Sequence, residues 1–160
     1  MTNTPAPIHL ESEAATMRLA QACAHQMAAG DVMILSGGLA AGKTFFVRAA
    51  VAALGSTDPV TSPTYTLAHI YNRPEGPVVH IDAYRIENVA NFADLALEDE
   101  MESGVSFIEW GELLKGEFED YIQLDLSPSP DDETTRFATF SAKGTHGQAL
   151  LTAILKEFAA

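Results

Sequence analysis

Asp31-Val32-Met33-Ile34-Leu35-Ser36-Gly37-Gly38-Leu39-Ala40-Ala41-Gly42-Lys43-Thr44-Phe45 decides the fold. Its last part, Gly37 to Thr44, has the spacing G-x-x-x-x-G-K-[ST]. The glycines let the backbone curl so that successive N–H groups converge on phosphate oxygens. The Lys43 ammonium can reach terminal phosphates, and the Thr44 hydroxyl can ligate Mg²⁺. Context separates a working loop from a chance match. The apolar run Val32 to Leu35 reads as a short buried strand, and Phe45 to Leu54 reads as a helix, so the loop joins a strand to a helix as the motif requires.

Working outward on the N-terminal side, residues 1–7 read as a loose tail and Ile8-His9-Leu10 as a short strand. Ser12 is a good N-cap with Glu13 in the first turn, where the helix dipole favours an anion. Met17, Leu19, Ala20, Cys23, Ala24 and Met27 recur at helical spacing and give an apolar face that ends near Gly30. On the C-terminal side, the second half of Val60 to Tyr71 alternates as a strand does. Arg73-Pro74-Glu75-Gly76-Pro77 is turn material, and Val78 to Tyr84 is another strand, so the two are expected to pair as a hairpin and make the sheet mixed. Asn88 to Ser103 reads as an acidic helical region and Val105 to Ile108 as a compact buried strand. Tyr121–Leu126 and Arg136–Ser141 read as an antiparallel pair, and Gln148–Phe158 as a closing amphipathic helix. The expected architecture is α/β: a three-layer fold of the P-loop NTPase kind, its mixed sheet flanked by helices. An antiparallel pair lies near the C-terminus, and residues 1–160 form a single domain.

Composition narrows the function. The formal net charge is −13, and the nine Lys and Arg are scattered without a basic cluster. A protein that grips nucleic acid directly carries a basic face, so macromolecular partners are expected to be proteins or surfaces with positive patches. The single cysteine, Cys23, excludes an internal disulfide and a cysteine-based metal cluster, and its Ala-rich setting reads as core. No stretch approaches the roughly 20 apolar residues of a membrane span, and the start of the chain lacks signal-peptide character, so the expected compartment is the cytoplasm.

Nucleotide hydrolysis needs a carboxylate near the metal. Asp82 and Glu109 each follow an apolar strand, where an acidic side chain can face the phosphate crevice of an open α/β sheet. Trp110 can wall the site, stack on a base or pack in the core. His9, His25, His69 and His146 show no metal-ligand spacing, and His80 reads as a packing residue.

Four blocks in order carry a resemblance: Gly37 to Thr44, Thr61-Ser62-Pro63-Thr64-Tyr65-Thr66-Leu67, His80-Ile81-Asp82-Ala83-Tyr84-Arg85, and Ile108-Glu109-Trp110. Together they resemble the TsaE (YjeE) family of bacterial P-loop ATPases, which act with partner proteins in making N6-threonylcarbamoyladenosine in tRNA. The resemblance implies ATP and Mg²⁺ as ligands. It also implies TsaB and TsaD as partners, with tRNA contacted mainly through them. It places Gly38, Leu39, Ala40, Ala41, Gly42, Lys43, Thr44 and Phe45 around the phosphates. Thr44 and Glu109 fall at the metal, and Asp82 acts on it through water. Thr64 falls in a switch-like segment, Trp110 beside the site, and Glu13 and Arg136 near the nucleotide. Family loops usually read Gly-Asp-Leu-Gly-Ala-Gly-Lys-Thr-Thr. Here Gly38 stands for Asp, Ala40 for Gly and Phe45 for the second Thr. If the Ala40 position needs φ > 0, its Cβ costs about 1 kcal/mol or more.

Two further readings remain consistent with the residues. One is a small P-loop kinase acting on a metabolite, which would need an Arg-rich lid that is not evident in this chain. The other is a nucleotide-gated binding module. No Arg is obviously placed as a finger; Arg85 or a partner could supply one. The acidic run Asp94 to Glu102 is a candidate partner face, or else a solvated helix surface.

Overall fold

The computed structural model describes residues 5–38, 41–59 and 67–160. Seven strands form one sheet: β1 (Ile8–Leu10), β2 (Val32–Ser36), β3 (Ala68–Tyr71), β4 (Val78–Asp82), β5 (Val105–Glu109), β6 (Tyr121–Pro128) and β7 (Arg136–Lys143). Their order across the sheet is β1-β7-β6-β2-β5-β4-β3. The middle strands β6, β2, β5 and β4 run parallel, while β3 on β4, and β7 and β1 beyond β6, are antiparallel. The sheet is mixed, with the expected hairpin at one edge and the late antiparallel pair toward the other.

Helices cover both faces because the central strands are apolar on both. Met33 and Leu35 of β2, Val105 and Phe107 of β5, and Val78 of β4 point to one side, into a core shared with α1 (Glu13–Gln26), α2 (Lys43–Ala53) and α5 (Gly144–Ala159). Val32, Ile34, Val79, Ile81 and Ile108 point to the other side, against Ile86, Met101 and Leu114. That second face is covered by the short helices α3 (Val89–Ala93) and α4 (Glu98–Ser103) and by the 3-10 segment Gly111–Glu117.

Local chemistry sets the helix ends. Ser12 caps α1, its Oγ accepting from the Ala15 N–H at 3.1 Å. Cys23 is fully buried, and burial, helped by the Glu157 charge, pushes its thiol far above the usual range. Met17, expected in the apolar face of α1, lies on the outside of the helix and is 42% exposed. The acidic region expected as helical from 88 to 103 divides in two, with Ala96 in the left-handed region (φ 52°) between α3 and α4. Helix α5 begins at Gly144, four residues before the expected Gln148. Its first turn is held from a distance, by the Asp120 carboxylate accepting from the Gly147 N–H at 3.1 Å.

Candidate nucleotide site at the strand ends

The loop opens where β2 stops. Gly37 has φ 136°, and a Cβ there would collide with the carbonyl oxygen of Leu126 on β6, so only glycine allows the chain to turn this close to the sheet. Gly42 caps α2 in the left-handed conformation (φ 96°), which aims the first turn of the helix back at the loop. The first N–H groups of a helix have no partners within it, and the dipole there favours an anion. Lys43 and Thr44 occupy that first turn, and Ala41 is buried behind it. Gly38 is exposed, and the Ala41 N–H donates to its carbonyl at 3.2 Å. Leu39, Ala40 and Thr64, all expected at the site, lie outside the described residues.

Strand pairing brings the carboxylates to the loop. Asp82 ends β4 and is the register partner of Glu109, which ends β5; Glu109 in turn pairs with Leu35 on β2. Side chains alternate along a strand. Val78, His80 and Asp82 therefore share a face, as do Val105, Phe107 and Glu109, and Val78, Val105 and Phe107 pack on the α2 side. Both acidic side chains thus come to the face on which Lys43 is mounted.

Lys43 is 6% exposed. Its Nζ donates to the Gly37 carbonyl at 2.8 Å and sits 3.5 Å from the centre of the Trp110 ring. Burial lowers its pKa, while the charges of Glu109 and then Asp82 push the other way. Glu109 is 5% exposed, and His80, fully buried, donates from Nε2 to its Oε2 at 2.5 Å. Asp82 is half-buried, and its Oδ1 accepts from the Tyr84 N–H at 3.0 Å, capping the 3-10 turn Ala83–Arg85. Trp110 takes the left-handed conformation (φ 60°), and its N–H donates to the Leu35 carbonyl at 3.1 Å. Exposed Tyr84 packs edge-on against the Trp110 ring at 5.3 Å.

Beside the α2 terminus, Glu13, Thr16, Gly42, Phe45, Thr134 and Arg136 line a small cavity of about 100 Å³. Arg136 donates from Nε to the Ala41 carbonyl at 3.0 Å, and from a terminal nitrogen to the carbonyls of Thr135 and Glu133. The first helix and the late strands therefore meet beside the start of α2, which brings Glu13 and Arg136 to one cavity. Arg85 lies exposed in the turn after Asp82.

The donors suit a polyphosphate and a hard divalent cation. They combine a helix N-terminus and an ammonium for anions with a hydroxyl and two carboxylates as oxygen ligands. His80 is the site-facing residue that the sequence reading leaves in the core. One signal was available: His80 and Asp82 stand two apart on one strand and so share a face.

Residues 10–137 match the model of the family described as threonylcarbamoyl adenosine biosynthesis protein TsaE. The chain is 37% identical over 123 residues to the tRNA threonylcarbamoyladenosine biosynthesis protein TsaE of Bacillus subtilis, an alignment covering 76% of this chain and 75% of that one. To the protein of the same name from Treponema pallidum it is 41% identical over 93 residues, covering 58% of this chain and 68% of that one. The crystal structure of Bacillus subtilis YdiB superposes with a TM-score of 0.79 at 26% identity, covering 98% and 97% of the two chains.

Proposed function

The chain belongs to the TsaE family, and on that premise we propose that it binds and hydrolyses ATP in an assembly that forms N6-threonylcarbamoyladenosine in tRNA. The observation that carries the reading is Lys43: a buried ammonium held at 2.8 Å by the Gly37 carbonyl and at 3.5 Å by the Trp110 ring, with Glu109 and Asp82 beside it. ATP brings phosphate oxygens that compete for that ammonium. Lys43 exchanges the neutral carbonyl and ring for an anion, and offsets charge that grows on the phosphates as the terminal bond breaks. The N–H groups of the first α2 turn orient the same phosphates. Glu109, Asp82 and the Thr44 hydroxyl are the groups that would hold Mg²⁺. When bound, the ion neutralises phosphate charge and polarises the bond to be cleaved. Glu13, Phe45 and Arg136 line the small cavity beside the first turn of α2, where part of the nucleotide beyond the phosphates would rest.

Family membership supports a role within a complex, with TsaB and TsaD as the expected partners. A net charge of −13 fits a subunit that leaves tRNA contact to its partners. Thr64 would act in a segment responsive to the terminal phosphate, and Arg85 or a partner's arginine would complete the charge around it. Residues 1–160 are read as one ATPase domain at work in the cytoplasm. No helix among the described residues is long and apolar enough to cross a membrane.

Trp110 is the only tryptophan, so its fluorescence reports the departure of Lys43 from its ring. The expected result is an emission change on adding ATP with Mg²⁺, slow turnover by the chain alone, and faster turnover once TsaB, TsaD and tRNA are added. An unchanged emission together with no turnover in either setting overturns the reading. Turnover that needs a small-molecule acceptor moves the protein to a metabolite kinase.

A further inference from the structure

We propose that His80 is a positioning residue that holds the Glu109 carboxylate ready for a divalent cation. The inference rests on the reading of Glu109 as a metal-holding group.

His80 lies in the middle of β4, between apolar Val79 and Ile81, and is fully buried. Its register partner on β5 is Phe107, and Tyr71 tilts over the ring at 6.5 Å. An imidazole in such a place gives up its water, and an aliphatic side chain would fill the same volume without that loss. What the imidazole adds is one hydrogen bond. Nε2 reaches diagonally across to the neighbouring strand and meets Glu109 Oε2 at 2.5 Å. A carboxylate oxygen can only accept, so the proton is on Nε2. Nδ1 is buried and has no hydrogen-bond partner among the described residues, so the contact with Glu109 is the one polar contact the ring makes there.

The bond matters because of what Glu109 lacks elsewhere. His80 makes the one hydrogen bond to its side chain among the described residues. A glutamate side chain has three rotatable bonds, and ordering them costs entropy at the moment a ligand is bound. The packed ring removes that freedom beforehand by pinning one oxygen and leaving the other for a cation. Groups that orient a metal ligand in this way commonly carry about 10- to 100-fold of metal affinity. His80 touches neither phosphate nor metal in this scheme and acts through Glu109 alone.

The test compares the parent chain with H80F, which fills the space without a donor, and H80Q, which restores an N–H at similar reach. ATP affinity is measured by calorimetry in EDTA and across a Mg²⁺ series. In H80F, the Mg²⁺ concentration needed for half of the metal-dependent gain should rise about 10- to 100-fold, with affinity in EDTA unchanged. H80Q should return to within about threefold of the parent, as expected if the donor alone is what matters. An unaltered Mg²⁺ requirement in H80F overturns the proposal. So does an H80Q as impaired as H80F with affinity in EDTA also reduced, because that is the mark of a purely structural residue. If H80F does not fold, the Nε2–H proton resonance of the parent decides: a shift on adding Mg²⁺ with ATP, beyond that with ATP in EDTA, supports the proposal, and no shift overturns it. A parent that binds ATP with no dependence on Mg²⁺ overturns the reading of Glu109 itself, and the role of His80 with it.

Discussion

Two histidine–carboxylate pairs sit at opposite ends of the parallel strands. At the strand ends, His80 meets Glu109 at 2.5 Å, with side-chain exposures of 0% and 7%. At the strand starts, His146 of α5 meets Asp31 at 2.6 Å, but here the histidine is 62% exposed and only the aspartate, at 6%, is buried. Asp31 also accepts from the Ala28 N–H at 2.8 Å, while its backbone carbonyl takes the Ser106 N–H. It is a junction that ties the end of α1, the start of β2 and helix α5 together. Glu109 ties little together. It is a buried anion beside a buried ammonium, an arrangement that is expensive to keep unless a ligand uses it. The same pair of residue types therefore fastens the fold at one end, and at the other stands, in the proposed function, where it would hold chemistry ready.

Substitutions at the two ends should separate these roles. Lys43→Ala should reduce ATP turnover in the full assembly by about 100-fold or more, since it removes charge stabilisation on the phosphates. Glu109→Gln keeps the shape but loses the charge, and should cost turnover about 100-fold. Thermal unfolding of the ligand-free protein should shift little, or upward, because a buried charge has gone. An unaltered turnover rate in either variant would break the assignment of the strand ends to chemistry.

Asp31→Ala should do the reverse. Leaving the Ala28 N–H and the His146 ring without an acceptor should cost about 2 kcal/mol. Thermal unfolding should then begin about 4–8 °C lower, with ATP affinity near that of the parent. A large loss of ATP affinity at normal stability would erase the contrast.

The smallest effect belongs to His146→Ala and is read against pH. The hydrogen bond to Asp31, and then its charge, raise the His146 pKa above its ordinary 6.5. A pKa raised by folding adds stability that is complete below 6.5 and lost as pH rises through the folded value. The melting temperatures of parent and variant should therefore differ most below about pH 6 and converge in alkaline buffer, by no more than a few degrees for so exposed a histidine. A gap that widens with pH would mean that the pair does not act as an ion pair.

Much of the candidate site was legible because its signals are local. The glycine turn at Gly37, the start of α2 after Gly42, the Ser12 cap, and Asp82 and Glu109 each closing an apolar run are short-range patterns, and among the described residues these elements stand where those patterns put them. Other features depend on residues far away in the chain. Helix α5 starts early because Asp120 reaches the Gly147 N–H, a cap that periodicity over 148–158 cannot reveal. Asp94 to Glu102 read as one acidic stretch, but the turn at Ala96 splits the helix there while Leu95 and Leu97 pack on the second core.

By itself, the sequence determined the order of strands and helices, the loop with phosphate-binding spacing, and the two carboxylates that close apolar strands, since each depends on neighbours a few residues apart. Tertiary structure alone decided which groups touch. His80 and Glu109 are 29 residues apart, Lys43 finds a ring 67 residues downstream at Trp110, and Arg136 braces Ala41 from 95 residues away. Those meetings follow from strand register and from the face each side chain takes in the sheet, which exist only once the strands have paired.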